Sequence, residues 1–262
     1  MLFRSGLSAR GDTPVAKLIT AHRFGPSIGA LASAIRVGDA NRALDVLNAG
    51  GDHIEWVDTE DSTQALRSVL VPHALRVREA AILGNGTAAL ATLDEHRLLC
   101  AHRRGPYGVA YWNHQVERWL AEETDAPLWA SWYAGRPVLV TANDYGLRLY
   151  NGDVGVTVLR DGVLRVVMAG ADGPAEFPTT RLADVQTMHA MTIHKSQGSQ
   201  VGEVTVLLPQ TDSRLLTREL LYTAVTRARA KVRVVGSAEQ LRSAIARRAA
   251  RASGLSRRLQ AV

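Results

Sequence analysis

The chain has 262 residues, a formal charge of +6, a pI near 9.9 and a single cysteine, Cys100, which excludes a disulfide scaffold and a zinc ribbon. Hydrophobic residues make up 46% and charged residues 21%, a balance that excludes disorder as the default state and can bury the core of one large domain or two small ones. No apolar run approaches the roughly twenty residues of a membrane span, and Met1–Thr20 carries no signal-peptide core, so the expectation is a cytoplasmic chain with no membrane partner.

Val15–Thr20 reads as a short strand, followed by the turn residues His22-Arg23-Phe24-Gly25-Pro26 and a helical stripe at Ile28, Leu31, Ala32 and Ile35. Gly38-Asp39 stops that helix. A second helix fits Ala40–Leu47, Gly50-Gly51 ends it, and Ile54–Val57 alternates as a strand. Thr63 to Leu83 reads as a further helix that must bend near Pro72, whereas residues 84–96 leave a linker as an open question. Arg97–Ala101 is a candidate buried strand. It feeds the loop His102–Gly108 and a helix across Asn113–Glu123, which together form the βα half of a parallel-sheet unit.

From Pro137 to Val185 the texture changes. Short β-rich runs at Val138–Thr141, Gly155–Leu159, Leu164–Met168 and Ala175–Phe177 alternate with Asn151-Gly152, Asp161-Gly162 and Asp172-Gly173, and Asx-Gly between strands signals hairpins. This stretch reads as a small β-barrel or meander inserted in an α/β frame. Ala190–His194 then leads into a polar loop, followed by a strand at Glu203–Leu208, a helix at Thr217–Ala228, a strand at Val232–Val235 and a last helix from Ala238. The charge is C-terminal: residues 1–200 hold 19 basic and 21 acidic side chains, residues 201–262 hold 12 and 4. A GC-rich codon bias accounts for arginine outnumbering lysine, and a polyanion remains a natural partner for such an end.

A phosphate cradle of the form Gly-x-x-x-x-Gly-Lys-[Ser/Thr] is missing, since Lys195-Ser196 is the only Lys-Ser/Thr pair and His194 precedes it. His189 and His194 stand five apart with no neighbouring carboxylate pair, so no metal site is expected, and no acidic cluster supports nuclease action. The informative segments lie elsewhere. MTIHKSQGSQ at 191–200 places hydroxyl, amide, imidazole and ammonium donors on one strand-to-loop stretch, a set suited to successive phosphates, with Gly198 permitting close approach. An ordinary polar turn would have the same composition. In the helix expected at Thr217–Ala228, Leu221, Ala224, Val225 and Ala228 form the buried stripe, and Arg227 falls beside it at the C-terminal end. An arginine there can meet a developing phosphate charge or simply complement the helix dipole.

Together these segments resemble the second motor domain of superfamily 1 DNA helicases, and specifically the RecD family, the alpha subunit of exodeoxyribonuclease V. MTIHKSQGSQ resembles helicase motif V, LLYTAVTRARAKVRVVG at 220–236 resembles motif VI, and LITAHRFGPSIGALASAI at 18–35 resembles the arginine region of motif IV. LLCAHRRGPYGVAYWN at 98–113 and NDYGLRLYNGDVG at 143–155 extend the similarity, which covers about residues 17–236.

The resemblance implies an α/β, RecA-like parallel-sheet motor domain, P-loop NTPase-like but without its own P-loop, carrying an inserted small SH3-like β-barrel. It divides the chain into a junction and helical segment at 1–96, the second motor domain at 97–142 and 186–250, the barrel at 143–185 and a basic tail at 251–262. Arg23 and Arg227 would meet the γ-phosphate, Gly198 and Gln200 would lie by the nucleotide, and Thr192, His194 and Ser196 would face the DNA backbone. His102, Arg103 and Asn113 are further DNA-side candidates. The family's first motor domain supplies Walker A and the magnesium-binding acids, and this sequence matches only the part after them. ATP and Mg2+ are therefore expected only together with that half, and the 262-residue chain alone is expected to lack ATPase. Single-stranded DNA, the N-terminal motor half and RecB- and RecC-type subunits are the implied partners. The implied whole acts in double-strand break repair and recombination; a non-catalytic single-strand-binding module or an inactive fragment is the alternative.

Overall fold

The computed structural model describes residues 25–59, 61–125, 130–170 and 173–249. The expected strand at Val15–Thr20, Arg23, and the tail beyond Ala249 lie outside the described residues.

Helix α1 (Pro26–Val37) starts on a proline, whose missing N–H costs nothing in the first turn, and stops at Gly38, whose φ of 86° lets its N–H reach the Ala34 and Ile35 carbonyls. Asp39 caps α2 (Ala40–Ala49) by accepting from Arg42 N at 2.9 Å, and β1 (Ile54–Val57) follows. Helix α3 (Thr63–Ile82) is continuous through Pro72, and α4 (Gly86–Leu93) is capped by Asn85, whose side-chain Oδ1 accepts from Ala88 N at 3.0 Å. Next come β2 (His96–Cys100), α5 (Val109–Thr124), β3 (Pro137–Val140), β4 (Val154–Arg160), β5 (Val163–Met168) and β6 (Ala175–Pro178). A 3₁₀ turn at Thr179–Arg181 precedes β7 (Val185–Thr187), β8 (Ala190–Thr192) and β9 (Val201–Leu207). Helix α6 (Arg218–Val225), β10 (Ala228–Val235) and α7 (Ala238–Ala246) complete the described chain, α7 opening on a Ser237/Gln240 capping box.

The strands form two sheets. One is wholly parallel, ordered β1-β10-β9-β2-β8; the other is antiparallel, ordered β6-β5-β4-β3-β7. Parallel strands must be covered on both faces, and the side chains alternate accordingly. Leu99, Val204, Val206, Val232 and Val234 pack with α1, α2, α6 and α7. Leu98, Cys100, Ala190, Leu207 and Val235 pack with α3 and α5, where Trp112 and Trp119 are almost completely buried with ring centroids 6.2 Å apart. Helix α4 wedges the antiparallel sheet against this core, with Gly86 so close to Val167 that an added Cβ would meet Cγ2 at 2.6 Å.

Several boundaries differ from the sequence reading. Residues 54–57, grouped there with a junction at 1–96, are the edge strand of the parallel sheet, in register with Val232–Val235. The antiparallel sheet takes in Pro137–Val140 and Val185–Thr187 besides the 143–185 stretch. Its edges, β6 and β7, show no pairing with each other among the described residues, so closure into a barrel is not part of the observed fold. Helix α6 ends at Val225 rather than Ala228, because the Thr226 hydroxyl donates to the Tyr222 and Thr223 carbonyls (2.9 and 3.0 Å) and Ala228 already pairs with Val201 in β10. Arg227 therefore sits in the turn between helix and strand.

Candidate nucleotide and nucleic-acid interface

Cys100 of β2 lies in register with both Thr192 of β8 and Leu207 of β9, so loops 101–108, 193–200 and 208–217 leave from one carboxyl edge of the sheet. Ligands of open parallel sheets bind outside such edges. At the opposite edge Val201 pairs with Ala228, which places Arg227 at the amino end. Loop 193–200 thus crosses from one edge of the sheet to the other.

The loop supports itself. Thr192, buried, accepts from Lys195 N at 3.3 Å; Ser196 Oγ donates to the Ile193 carbonyl at 2.7 Å; Ser199 Oγ donates to the Ser196 carbonyl at 3.0 Å. Ser196 is only 1% exposed, so in this arrangement its hydroxyl shapes the loop instead of facing outward. His194 is exposed. Gly198 has a φ of +93° with open space where a Cβ would stand, a conformation that favours glycine and leaves the backbone approachable. Lys195 is held below the ordinary lysine range, first by burial and then by the charge of Arg103.

Arg227 closes the far end. Its Nε donates to the Thr223 carbonyl at 3.2 Å and a terminal N–H to the Ser199 carbonyl at 3.0 Å, a natural seat for a cation at the carbonyl-rich end of α6. Gln200 Nε2 adds a 3.5 Å contact to the Thr226 carbonyl. Both sequence-derived nucleotide candidates of the loop, Gly198 and Gln200, therefore lie in the half that Arg227 holds. Sequence reasoning missed the acceptor, Ser199, because a backbone carbonyl leaves no trace in residue type.

His102 Nε2 pairs with Ser213 Oγ at 2.7 Å, tying the first loop to the third, and Arg103 is exposed. Asn113 is used on both ends of its amide: Nδ2 donates to the Thr187 carbonyl at 2.8 Å and Oδ1 accepts from Ala190 N at 2.7 Å. It clamps the segment between β7 and β8, so neither end of the amide points outward for DNA in this structure. A polar knot unforeseen from the sequence surrounds that clamp. The Tyr133 hydroxyl lies 2.9 Å from His189 Nε2 and 3.2 Å from Glu117 Oε1, and Thr187 Oγ1 receives Arg136 Nε at 3.0 Å. Burial pushes the His189 pKa down to about 3, keeping the ring neutral.

The residues do not make a complete nucleotide site. No Walker A sequence occurs in the chain, and among the described residues no group of three or more His, Cys, Asp or Glu could hold a metal ion. Of the nucleotide candidates read from the sequence, Gly198, Gln200 and Arg227 stand together at one end of the loop.

Such a sheet, with this crossing loop and helix-end arginine, defines the RecA-like second motor domain of a helicase. Residues 187–235 match the family described as UvrD-like helicase C-terminal domain. The chain is 67% identical over 255 residues, 97% of its length and 44% of the relative's, to the RecBCD enzyme subunit RecD of Mycobacterium tuberculosis. It is also 32% identical over 168 residues, 63% of this chain and 23% of the relative, to the ATP-dependent RecD2 DNA helicase of Deinococcus radiodurans. A solved Pif1 helicase from Bacteroides, in complex with ADP-AlF3 and ssDNA, aligns with a TM-score of 0.47 and 17% identity, covering 86% of this chain and 53% of that one. The resemblance carried by the motifs is thereby shown: the sequence corresponds to the C-terminal part of the RecD family, and spans less than half the length of the tuberculosis relative.

Proposed function

We propose that this chain is the C-terminal motor portion of a RecD-type ATP-dependent DNA helicase that translocates on single-stranded DNA. The observation that carries this reading is loop 193–200, which leaves β8 at the carboxyl edge with His194 exposed and reaches the Ser199–Arg227 contact at the amino edge. A rigid segment reaching both edges can transmit nucleotide state to a DNA grip, the element that a motor alternating between two grips needs. In this reading His194 and Arg103, with Thr192 behind them, serve the DNA side. Arg227, with Arg23, meets the γ-phosphate bound mainly by a first motor domain that would supply Walker A and the magnesium ligands. Bound there, ATP and Mg2+ would furnish the free energy of translocation; this chain's part is to present the arginine and to hold the loop.

In this reading the open antiparallel sheet β6-β5-β4-β3-β7 stands where the small inserted barrel was expected and flanks the DNA strand. That the tuberculosis relative is a RecBCD enzyme subunit supports RecB- and RecC-type partners, and in this reading the assembly acts in double-strand break repair and recombination. The purified 262-residue chain should bind single-stranded DNA in a salt-dependent manner and show negligible ATPase. A clear Mg2+- and DNA-dependent ATPase in that chain, lost on Arg227→Ala, would overturn this division of labour.

A further inference from the structure

Loops 101–108, 193–200 and 208–217 share the carboxyl edge of the sheet, and between them carry Arg103, Arg104, Lys195 and Arg214 against one carboxylate, Asp212. Ion pairs are common elsewhere: Arg67, Arg76, Arg97, Arg160, Arg165 and Arg233 each meet an acidic side chain. Arg36, Arg148, Arg181 and Arg229 are likewise exposed and without an ion pair among the described residues, and this edge gathers three more such arginines on loops that meet at the His102–Ser213 pair. Among the described residues, no side-chain hydrogen bond or ion pair engages Arg103, Arg104 or Arg214, all of which are exposed. Four cations gathered at one edge with a single carboxylate among them repel one another until a polyanion neutralises them.

The third loop is also fixed in place. Ser213 Oγ pairs with His102 at 2.7 Å; Ser243 Oγ donates to the Thr211 carbonyl at 2.6 Å; Arg247 donates to the carbonyls of Thr211 at 3.0 Å and Leu216 at 3.4 Å. Residues 211–216 are thus pinned by α7 on one side and by the 102–108 loop on the other. Arg214 is exposed within this pinned segment, next to the residue that His102 holds.

We propose that the 208–217 loop is a third nucleic-acid contact of this domain, in which Arg214 binds a phosphate of single-stranded DNA and the His102–Ser213 pair positions it. The inference rests on the single-strand-binding reading above and adds to it a residue outside motifs V and VI. Pinning matters because a loop already ordered loses little entropy when it engages a phosphate, so a single arginine there contributes a full contact.

The test is the salt dependence of binding of the 262-residue chain to a fluorescent oligothymidylate, followed by anisotropy. Removing one phosphate-binding cation lowers the slope of log K against log salt by about 0.7 for single strands. Arg214→Ala should lower the slope by about that amount and weaken binding several-fold at low salt, and Arg214→Lys should restore the slope. Thermal melting should be the same for all three proteins, since the side chain is exposed and without an intramolecular partner. If the unmodified chain binds and Arg214→Ala keeps its slope, the inference falls while the functional reading stands. Absence of salt-dependent binding by the unmodified chain overturns both.

Discussion

The Arg227 guanidinium donates to the Ser199 carbonyl at 3.0 Å, joining the turn before β10 to the loop between β8 and β9. The same side chain rests on the Thr223 carbonyl, so one arginine spans the end of α6 and the loop. A phosphate that draws this guanidinium away from either carbonyl would move the loop. In the complete helicase Arg227→Ala should lower the ATPase rate by roughly 10³-fold, the usual scale for an arginine acting on phosphoryl transfer. Steady-state turnover with saturating DNA checks this. Arg227→Lys should remain far below wild type, because an ammonium cannot serve two carbonyls and a phosphate with the same fork geometry.

Asn113 predicts the opposite signature. Its amide satisfies the Thr187 carbonyl and the Ala190 N–H on either side of the junction between the two sheets. Asn113→Ala leaves both groups without that partner and should destabilise the fold by about 1–3 kcal/mol in urea denaturation. At temperatures where the variant is folded, its salt slope for single-stranded DNA should match wild type. A lowered slope would return Asn113 to the DNA-contact set.

The buried histidines set the response to acid. Burial holds His189 at a pKa of about 3, and burial likewise lowers His73 and, more strongly, His96. The ordinary value is near 6.5, so between about 6.5 and 3 the unfolded chain binds protons that the folded chain refuses. Stability is therefore complete above about pH 6.5 and falls with decreasing pH, each such histidine contributing up to about 1.4 kcal/mol per pH unit. Glu55 adds a loss of the same sign lower down: its hydrogen bond from Arg233 brings its pKa from 4.5 to about 2 against the opposing effect of burial, and that stabilisation fades as the pH falls through this window. Melting temperatures from pH 7.5 to 4.5 check the trend, and His189→Gln should flatten the curve.

The parallel core was legible in the sequence because its signals are local and mutually consistent. Pro26 and Gly38 bracket α1, Ile54–Val57 alternates, and the Asx-Gly pairs separate the strands of the second sheet. Helix α4 was not, since Gly86–Leu93 is made of small and apolar residues with little periodicity, and its place depends on the close approach of Gly86 to Val167. The end of α6 was misplaced for a related reason. TRARAK suits a helix by propensity, whereas pairing of β10 with β9 and the Thr226 hydroxyl draw it into a turn and strand. Within the site, motif composition pointed to loop 193–200 and Arg227. The carbonyl of Ser199, the His102–Ser213 pair and the inward turn of Ser196 depend on tertiary interactions that no residue spacing encodes.

The most direct measurement is His194→Ala in the reconstituted helicase, with nucleotide affinity and DNA unwinding determined on the same preparation. His194 is exposed on the segment that leads from the carboxyl edge toward the Ser199–Arg227 contact, and its side chain makes no hydrogen bond to Gly198, Gln200 or Arg227. If loop 193–200 couples a DNA grip to nucleotide state, unwinding falls by roughly tenfold or more, the scale of one phosphate interaction removed at every step, while nucleotide Kd stays within about twofold. Equal losses in unwinding and nucleotide affinity would contradict the account.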